Sequence, residues 1–517
     1  MKQPSQPPRP LAALQIYSII FVAIFLLHAP LLRLPFFWDE AGYYVPAAYD
    51  LAHDHTLVPH TTLDTAHPPL PAAYLALWFS LSGWKPAVAR VAMLLLAAFA
   101  LTNVFLLARR IAGPGVALAS TIATAVYPIF FVQSTLVHAD LPAAAFSLWG
   151  IRLAVERRLW ASQLAFCLAV LSKETAIIIP FALVLWEVVA SRGEPARDRL
   201  ARTAIWFTPL LPLAGWLIYH YHLTGRVFGG AEFYQYNVTQ ALNPLRFLAA
   251  FSLRLWHLFG TMNMMALTAS ALVAMSFAPV VDEAGERPRI AIPTQLQFAT
   301  IMLVSLITFS LVGGALLTRY LLAVYPLVII IGMSTLRRRI GRWEWPAAAI
   351  VICFVLALFF NPPYRFAPED NLTYREFVKL HAGAARFLSQ HEHDAVILTA
   401  WPAKDELTKS YLGYVARPLQ VTTVGNFTVE EILKAQQRRG QYQVVYMFST
   451  KTPSGWWFRP QFWQRLNRRF FDDHTDMSPE AAAELLSGKI VYLARGNAEW
   501  VAVLEIEQPS QRASLPQ

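Results

Sequence analysis

The stretch Leu11–Tyr44, which reads LAALQIYSIIFVAIFLLHAPLLRLPFFWDEAGYY, indicates the class of the protein. Its first 22 residues contain no Asp, Glu, Lys or Arg, and about 20 apolar residues are enough to cross the hydrocarbon core as a helix. The short basic segment Met1–Pro10 precedes them, and no small-residue cleavage site follows at Arg33. The stretch therefore predicts an uncleaved first transmembrane helix with a cytoplasmic N-terminus.

The composition of the whole chain supports a membrane protein. Of 517 residues, 56% are hydrophobic and only 15% are charged, and the mean hydropathy is +0.39. Too few polar residues are present to cover a water-soluble enzyme of this size. The net charge of +10 is explained by cytoplasmic loops of a membrane protein, and no nucleic-acid partner is expected. Cys167 and Cys353 lie within apolar runs, so a disulfide framework is excluded.

Ten further apolar runs predict a polytopic α-helical protein of the plasma (inner) membrane, with about 11 transmembrane helices. Pro69–Ser82 is also apolar but is short for a crossing, so we interpret it as a juxtamembrane helix within the first outer loop, 33–85. Counting it as a crossing would place the later Arg clusters outside. The predicted runs are 86–108, 115–134, 140–155, 160–172, 175–190, 204–221, 250–277, 295–315, 320–336 and 345–361.

Clusters of Arg residues assign the cytoplasmic side, since cytoplasmic loops are enriched in Lys and Arg. With these clusters inside, an odd number of crossings places the C-terminal part outside the cytoplasm. The clusters are Arg109-Arg110, Arg157-Arg158, Arg192–Arg202, Arg287/Arg289 and Arg337–Arg342.

The composition changes at residue 362, where charged and amide residues become common. Short β-rich runs at 395–399, 443–448, 489–494 and 500–506 alternate with helix-like stretches up to residue 507, which predicts a soluble extracytoplasmic α/β domain. Residues 1–361 then form the transmembrane domain, and 508–517 form a disordered tail.

A few ionisable residues fall at the predicted outer edge of the membrane, where such groups are functional candidates. Asp39 and Glu40 open the first outer loop; a carboxylate there can accept a proton from an acceptor group, or it can cap a helix or face solvent. The same loop carries His53, His55 and His67. These histidines are candidate ligands of a divalent cation, although their spacing fits no compact metal motif and polar loop residues are the simpler interpretation.

Later outer segments add another carboxylate and two cations. Asp140 follows His138 and either caps a helix or serves chemistry. Lys173 interrupts an apolar hairpin, and Arg319 precedes Tyr320 at an outer boundary; both cations can bind a phosphate, or they can pair locally or reach toward the interface. Since the predicted topology places all of them on one side, they suggest a membrane lipid that bears a phosphate. The chain has no nucleotide-binding motif of the Walker or Rossmann type.

The order of these motifs resembles the GT-C membrane glycosyltransferases, and in particular the protein mannosyltransferases and the bacterial aminoarabinose lipid A transferases. The shared order is one span, an aromatic-Asp-Glu-x-x-Tyr loop ending at Tyr43, a Pro-Pro-Leu helix, an Asp-x-Pro opening at Asp140, a Lys hairpin and an Arg-Tyr-Leu-Leu stretch. The resemblance covers about residues 1–340 in motif order.

The resemblance implies a polyprenyl-phosphate-sugar-dependent glycosyltransferase (EC 2.4) that acts on a lipid, glycan or protein acceptor at the outer membrane face. It implies that Asp39 is the base or orients the acceptor, that Asp140 is the second catalytic carboxylate, and that Arg319 lies near the donor phosphate. His67 replaces a Lys that precedes Pro-Pro in the aminoarabinose transferases, and Ala66 replaces an acidic residue, which argues against lipid A as the acceptor. Expected catalytic residues are Asp39, Asp140 and Glu40; expected substrate-binding residues are Arg319, Lys173, His67, Tyr43, Tyr320 and His138.

Two other classes of function are compatible with the sequence. One is a transporter or flippase for a lipid-linked sugar, although the chain shows no second, related half. The other is a non-catalytic scaffold of the cell envelope. A transferase requires Asp39 and Asp140 to face one cavity, whereas a scaffold does not. No cofactor is required by any of these interpretations, although a divalent cation is compatible with the histidines of the first loop.

Overall fold

The computed structural model describes residues 10–193, 195–230, 243–283, 285–312, 315–452, 461–471 and 473–507. The tail 508–517, predicted to be disordered, lies outside the described residues, as does the N-terminal segment 1–9. Helices occupy all the apolar runs singled out in the sequence, and a mixed sheet with further helices follows the last of them.

The part of the chain before residue 360 is helical apart from a short antiparallel pair of strands, Val281–Asp282 and Gly285–Glu286. Many of its helices begin at or next to a proline, which is preorganised for the first turn and needs no hydrogen-bond acceptor for its nitrogen. The helices are α1 Pro10–His28, α2 Val45–Asp54, α3 Leu70–Ser82, α4 Pro86–Ala112, α5 Pro114–Val126, α6 Pro128–Gln133, α7 Asp140–Val155, α8 Leu159–Ser172, α9 Ile178–Ala190, α10 Ala196–Ile205, α11 Leu210–Thr224, α12 Pro244–Phe259, α13 Met264–Met275, α14 Ile292–Leu311, α15 Tyr325–Arg339 and α16 Glu344–Phe359.

Four helical stretches within the described residues are long and apolar enough to cross a membrane. The remaining apolar helices are shorter, partly because the chain breaks them: Pro128 separates α5 from α6. The expected count of about eleven crossings is therefore not confirmed by helix length, and α3, with 13 residues, stays below the length of a span. The four stretches are Leu11–Leu31, Pro86–Ala112, Pro244–Met275 and Ile292–Leu311.

Three of the predicted cytoplasmic Arg clusters meet at one end of the helical part. Arg337 of α15 donates a hydrogen bond of 2.7 Å from Nη1 to the carbonyl of Ala112, at the end of α4. Arg287 in turn donates to the carbonyl of Arg337 at 2.9 Å. The opposite end of α4 carries Arg90, which binds Glu40 of the first outer loop. Helix α4 therefore separates the Arg clusters from the first outer loop.

The C-terminal part contains a five-stranded mixed sheet, which confirms a strand-and-helix region after the last apolar helix. The strands are β1 Val396–Thr399, β2 Gln420–Thr423, β3 Val444–Phe448, β4 Gly488–Arg495 and β5 Trp500–Ile506, in the order β2-β1-β3-β5-β4. The pairs β2–β1 and β1–β3 are parallel, and β3–β5 and β5–β4 are antiparallel. The accompanying helices are α17 Thr373–His391, α18 Ala403–Thr408, α19 Val429–Gln437, α20 Gln461–Phe470 and α21 Pro479–Leu486.

This C-terminal part packs directly on the first outer loop. The Phe36 nitrogen donates to the carbonyl of Leu412 at 3.3 Å, and the Tyr414 hydroxyl donates to the carbonyl of Phe36 at 2.9 Å. A Cβ atom at Gly42 would overlap the Trp401 indole, so only glycine allows this close approach. The segment that carries Asp39 is thus held from both the helical part and the sheet part.

Candidate active site

The local backbone around Asp39 is unusual. Trp38 has a left-handed φ of 43°, which a bulky side chain rarely adopts, and a π-helical turn, Glu40–Tyr44, follows Asp39. The Trp38 ring packs edge-on against Phe377 and Trp401, each with 5.4 Å between ring centroids. Backbone strain of this kind persists where surrounding contacts over-determine the conformation, and it concentrates at functional sites. The C-terminal part therefore helps to fix the direction in which Asp39 points.

Glu40, a predicted catalytic residue, lies instead in a buried ion pair. Its side chain is fully buried, and Arg90, which is 1% exposed, donates to both of its carboxylate oxygens. The backbone nitrogens of Phe37 and Val137 also donate to Glu40, at 2.7 and 2.5 Å. With its oxygens committed to these partners, Glu40 has no access to a substrate. We assign it a structural role, joining the first loop to α4 and to the loop before α7.

Replacing Glu40 with Gln is expected to destabilise the fold by about 3–5 kcal/mol, because the buried Arg90 charge loses its partner. The measurement is thermal unfolding of the detergent-solubilised protein. Glu430→Gln is the matched control, since the Glu430 side chain is 81% exposed. An unchanged melting temperature together with lost activity would return Glu40 to the catalytic group.

Asp39 and Asp140 converge on one guanidinium. Arg319, which is 4% exposed, donates from Nη2 to Asp39 Oδ2. Its Nε lies 3.3 Å from Asp140 Oδ2. Its Nη1 donates to both carboxylate oxygens of Glu369, at 2.6 and 2.5 Å. All three guanidinium nitrogens thus face carboxylates, and the two predicted catalytic aspartates are brought together.

Lys173 completes the cluster. Its Nζ donates to Asp140 Oδ1 at 2.6 Å and lies 4.3 Å from the centre of the Tyr320 ring. A cavity opens beside these groups, with Asp140, Lys173 and Arg319 at its polar end and mostly apolar residues of α7, α9 and α14 along the rest. A polar end joined to an apolar wall is suited to a charged group that is attached to a hydrocarbon chain.

His67 and His138 flank this cluster. His67 Nδ1 lies 2.8 Å from Glu174 Oε2. His67 therefore pairs with the residue that follows Lys173 in the chain. His138 is 1% exposed, and its Nδ1 lies 2.8 Å from Gln133 Oε1. Burial, together with the nearby charges of Arg319 and Lys173, lowers the pKa of His138 well below its ordinary value. Burial and these neighbouring cations thus disfavour the charged form of His138.

Tyr43 contacts the C-terminal part and lines a second cavity. Its ring packs on Trp401 with 5.0 Å between centroids, and it lines this second cavity together with Tyr44, His67 and Trp216. The Tyr44 ring stacks with His67 at 6.1 Å and lies 5.8 Å from the ring of His138. The second cavity therefore adjoins the charged cluster from the side of the first loop.

Two acidic residues that the sequence analysis did not single out belong to the site. Glu369 and Asp370 follow α16 and are 5% and 2% exposed, and the Thr318 hydroxyl donates to Asp370. Burial raises the pKa of Glu369 to about 8, with Arg319 opposing and Asp39 adding to the rise. Burial also raises the pKa of Asp370 to about 6. The Pro-Glu-Asp sequence at 368–370 gave no indication of a functional site. The partners of the two acidic residues, Arg319 and Thr318, lie 50 residues or more away in the chain.

The predicted metal candidates do not come together. His53 stacks on Tyr49 and is exposed, and His55 ends α2 with a left-handed φ of 57°, while His67 pairs with Glu174. Within the described ranges, the grouping of potential ligands is Asp50, Asp54 and His60 instead. Asp50 already accepts hydrogen bonds from the backbone nitrogens of His60 and Thr61 and from the Thr61 hydroxyl, which accounts for its position.

Known proteins resemble this chain in sequence and in fold. A family model described as dolichyl-phosphate-mannose-protein mannosyltransferase matches residues 66–219. The crystal structure of ArnT from Cupriavidus metallidurans in the apo state superposes with a TM-score of 0.56 at 16% identity, covering 95% of this chain and 98% of that one. The chain shares the fold of ArnT. The same protein bound to undecaprenyl phosphate gives a TM-score of 0.55 at 15% identity, covering 96% and 98% of the two chains.

No curated protein matches the chain in sequence. The resemblance to GT-C membrane glycosyltransferases is nevertheless confirmed, by the family model over residues 66–219 and by the fold along nearly the whole chain. The four helical stretches that are long and apolar enough to cross a membrane make the chain an integral membrane protein.

Proposed function

We propose that the protein is a glycosyltransferase that moves a sugar from a polyprenyl-phosphate carrier to a lipid, glycan or protein acceptor on the extracytoplasmic membrane face. The observation that carries the proposal is the convergence of Asp39 and Asp140 on Arg319 beside a cavity with a polar end and an apolar wall. Asp140 and Arg319 line this cavity, whereas Asp39 is joined to it through Arg319 and is not one of its lining residues. The convergence of both carboxylates on one guanidinium supports a transferase over an envelope scaffold, which needs no such arrangement. The undecaprenyl phosphate bound by ArnT supports a carrier of this kind.

In the proposed reaction, Asp39 acts as the base. Its side chain is 16% exposed, against 4% for Asp140, so Asp39 is the more accessible carboxylate. Asp39 takes the proton of an acceptor hydroxyl or amine while the acceptor atom bonds to the anomeric carbon. The bond from that carbon to the phosphate oxygen breaks, and the electron pair leaves with the polyprenyl phosphate. The phosphate gains negative charge in this step, so a nearby cation favours the transition state.

Lys173 is the cation that we assign to the phosphate. Arg319 was expected to lie near the donor phosphate, but its three nitrogens face carboxylates, so we assign Arg319 to organising those carboxylates. Lys173 has three ammonium donors, and it lines the cavity from its polar end. His67, held by Glu174, and Tyr320, under the Lys173 ammonium, shape the surroundings of the same group.

Lys173→Met is expected to lower kcat/KM for the carrier by about tenfold to a hundredfold, the typical value of one hydrogen bond to a charged group. Lys173→Arg, which keeps the charge, should lose less. The measurement is the initial rate of transfer against carrier concentration in vesicles. Lys434→Met is the control, because that side chain is 55% exposed. Equal rates for the Met and Arg variants of Lys173 would assign the phosphate to another cation.

We also propose that the C-terminal part faces the outside of the cell and the N-terminus faces the cytoplasm. The meeting of the Arg clusters at the end of α4 opposite to Glu40 supports this orientation, because clustered Arg residues mark the cytoplasmic side. The site then lies at the outer membrane edge, where a lipid-linked donor is accessible.

The experiment that tests the function is mass spectrometry of envelope lipids and proteins from cells with and without the gene. A sugar present on one lipid, glycan or protein should disappear with the gene. It should return with the wild-type gene but not with Asp39→Asn. Identical envelope profiles in all strains, with the protein present in the membrane, would contradict the proposal.

A further inference from the structure

The segment between α16 and α17, residues 360–372, which we name the connector, is attached to the site through two consecutive residues. Asp370 accepts a hydrogen bond from the Thr318 hydroxyl, and Glu369 accepts two from Arg319. The connector is fixed further along as well, because the Tyr364 hydroxyl accepts from the nitrogen of Met262 at 2.8 Å. The C-terminal part thus reaches into the charged cluster through Glu369.

Glu369 is a third carboxylate in a cluster that, within the described part of the chain, has only two cations, so simple pairing of charges does not explain its presence. The cluster contains two cations, Arg319 and Lys173, which balance Asp39 and Asp140. Glu369 adds a negative charge at a side chain only 6% exposed. Crowding a further carboxylate into a buried site disfavours its charged form. Such an arrangement is unfavourable for stability, and arrangements of this kind concentrate at functional sites.

We propose, on the basis of the proposed transfer reaction, that Glu369 is a positioning residue of the active site. Glu369 binds Nη1 of the Arg319 guanidinium and thereby fixes the positions of Nη2 and Nε. These two nitrogens in turn position the carboxylates of Asp39 and Asp140. The guanidinium is planar and rigid, so fixing Nη1 leaves the other two nitrogens little freedom. The distance between the two catalytic carboxylates then depends on a residue that belongs to the connector.

Glu369 also controls the net charge of the site. Burial raises its pKa to about 8, with Arg319 opposing the rise, so the charge of its carboxyl changes around that pH. Above that pH its ionisation adds one negative charge beside the place of the carrier phosphate, which disfavours binding of that anion. The charged and titratable groups that face it are Arg319, Asp39, Asp140, His138 and Asp370, with Lys173 beyond Asp140.

The test compares wild type, Glu369→Gln, Glu369→Ala and the exposed control Glu430→Gln in vesicles, between pH 6 and pH 10. Wild type should show a decline in kcat/KM for the carrier around pH 8. Glu369→Gln keeps one acceptor oxygen without the charge, so its loss of kcat at pH 7 should be smaller than that of Glu369→Ala, and the decline around pH 8 should disappear. Glu369→Ala should lower kcat by about 10–100-fold, since misplacing catalytic groups by ~1 Å has effects of this size. Glu430→Gln should match wild type throughout.

A second measurement does not depend on turnover. Infrared titration of the purified protein should show one protonated carboxyl that ionises near pH 8 in wild type and is missing in Glu369→Gln. A wild-type rate in Glu369→Ala, or an unchanged pH profile and infrared titration in Glu369→Gln, would overturn the role of Glu369. A wild-type protein that transfers no sugar but shows the titration would contradict the proposed function while retaining Glu369 as the titrating group that faces Arg319.

Discussion

Asp39→Asn is expected to abolish sugar transfer while the protein still folds. Asn keeps the shape of the side chain and an oxygen that can accept from Arg319 Nη2, the present partner of Asp39, but it cannot take a proton from an acceptor. Loss of a general base costs about 10²–10⁴-fold in rate. The measurement is turnover of the purified variant in vesicles, alongside its thermal unfolding.

The control for this prediction is Asp394→Asn, because the Asp394 side chain is 89% exposed. It should show wild-type turnover and wild-type unfolding. If Asp39→Asn retained more than half of the wild-type turnover, Asp39 would not be the base. Asp140→Asn should also lower turnover severely. If Asp140→Asn lowered turnover while Asp39→Asn did not, Asp140 would be the base.

Arg319→Ala is expected to remove activity and to destabilise the fold together. Removal of the guanidinium leaves Asp39, Asp140 and Glu369 facing one another around an empty, buried position. Breaking a buried ion pair from one side costs about 3–5 kcal/mol. Arg319→Lys keeps one charge but has a single nitrogen for three carboxylates, so its kcat should fall between that of wild type and that of Arg319→Ala.

Turnover and thermal unfolding of both variants check this prediction, with Arg417→Ala, at an exposed position, as the control. If Arg319→Lys and Arg319→Ala both matched wild type in turnover that depends on the carrier, Arg319 would have no role in the site. Equal loss in both variants, without any change in unfolding, would return Arg319 to direct contact with the phosphate.

Much of the fold follows from local patterns in the sequence. The apolar runs predicted helices where α4, α7 and α8 are found, because hydrophobic composition alone drives a segment into the bilayer as a helix. Strands β3 and β5 were predicted from short β-rich runs. Strand β2, Gln420–Thr423, was missed: it has four residues at a sheet edge and is half exposed, so it lacks the buried, apolar pattern of a central strand.

The site was only partly predictable, for a different physical reason. Asp39, Asp140, Lys173 and Arg319 could be singled out because charges near a membrane edge are few. Their partners could not be predicted, since a contact such as that between Arg319 and Glu369 joins segments that are distant in the chain. Glu40 illustrates the same point, because only the fold shows that its carboxylate forms a buried ion pair with Arg90.

The central claim is that this protein transfers a sugar away from a polyprenyl-phosphate carrier, using Asp39. The most direct measurement supplies the purified protein in vesicles with radiolabelled polyprenyl-phosphate sugars and an extract of envelope lipids and proteins as acceptor. With wild type, label should leave the carrier and appear on the acceptor together with an equal amount of free polyprenyl phosphate, whereas Asp39→Asn should leave the carrier intact. Label that stays on the carrier with wild type, or that leaves it equally with Asp39→Asn, would contradict the claim.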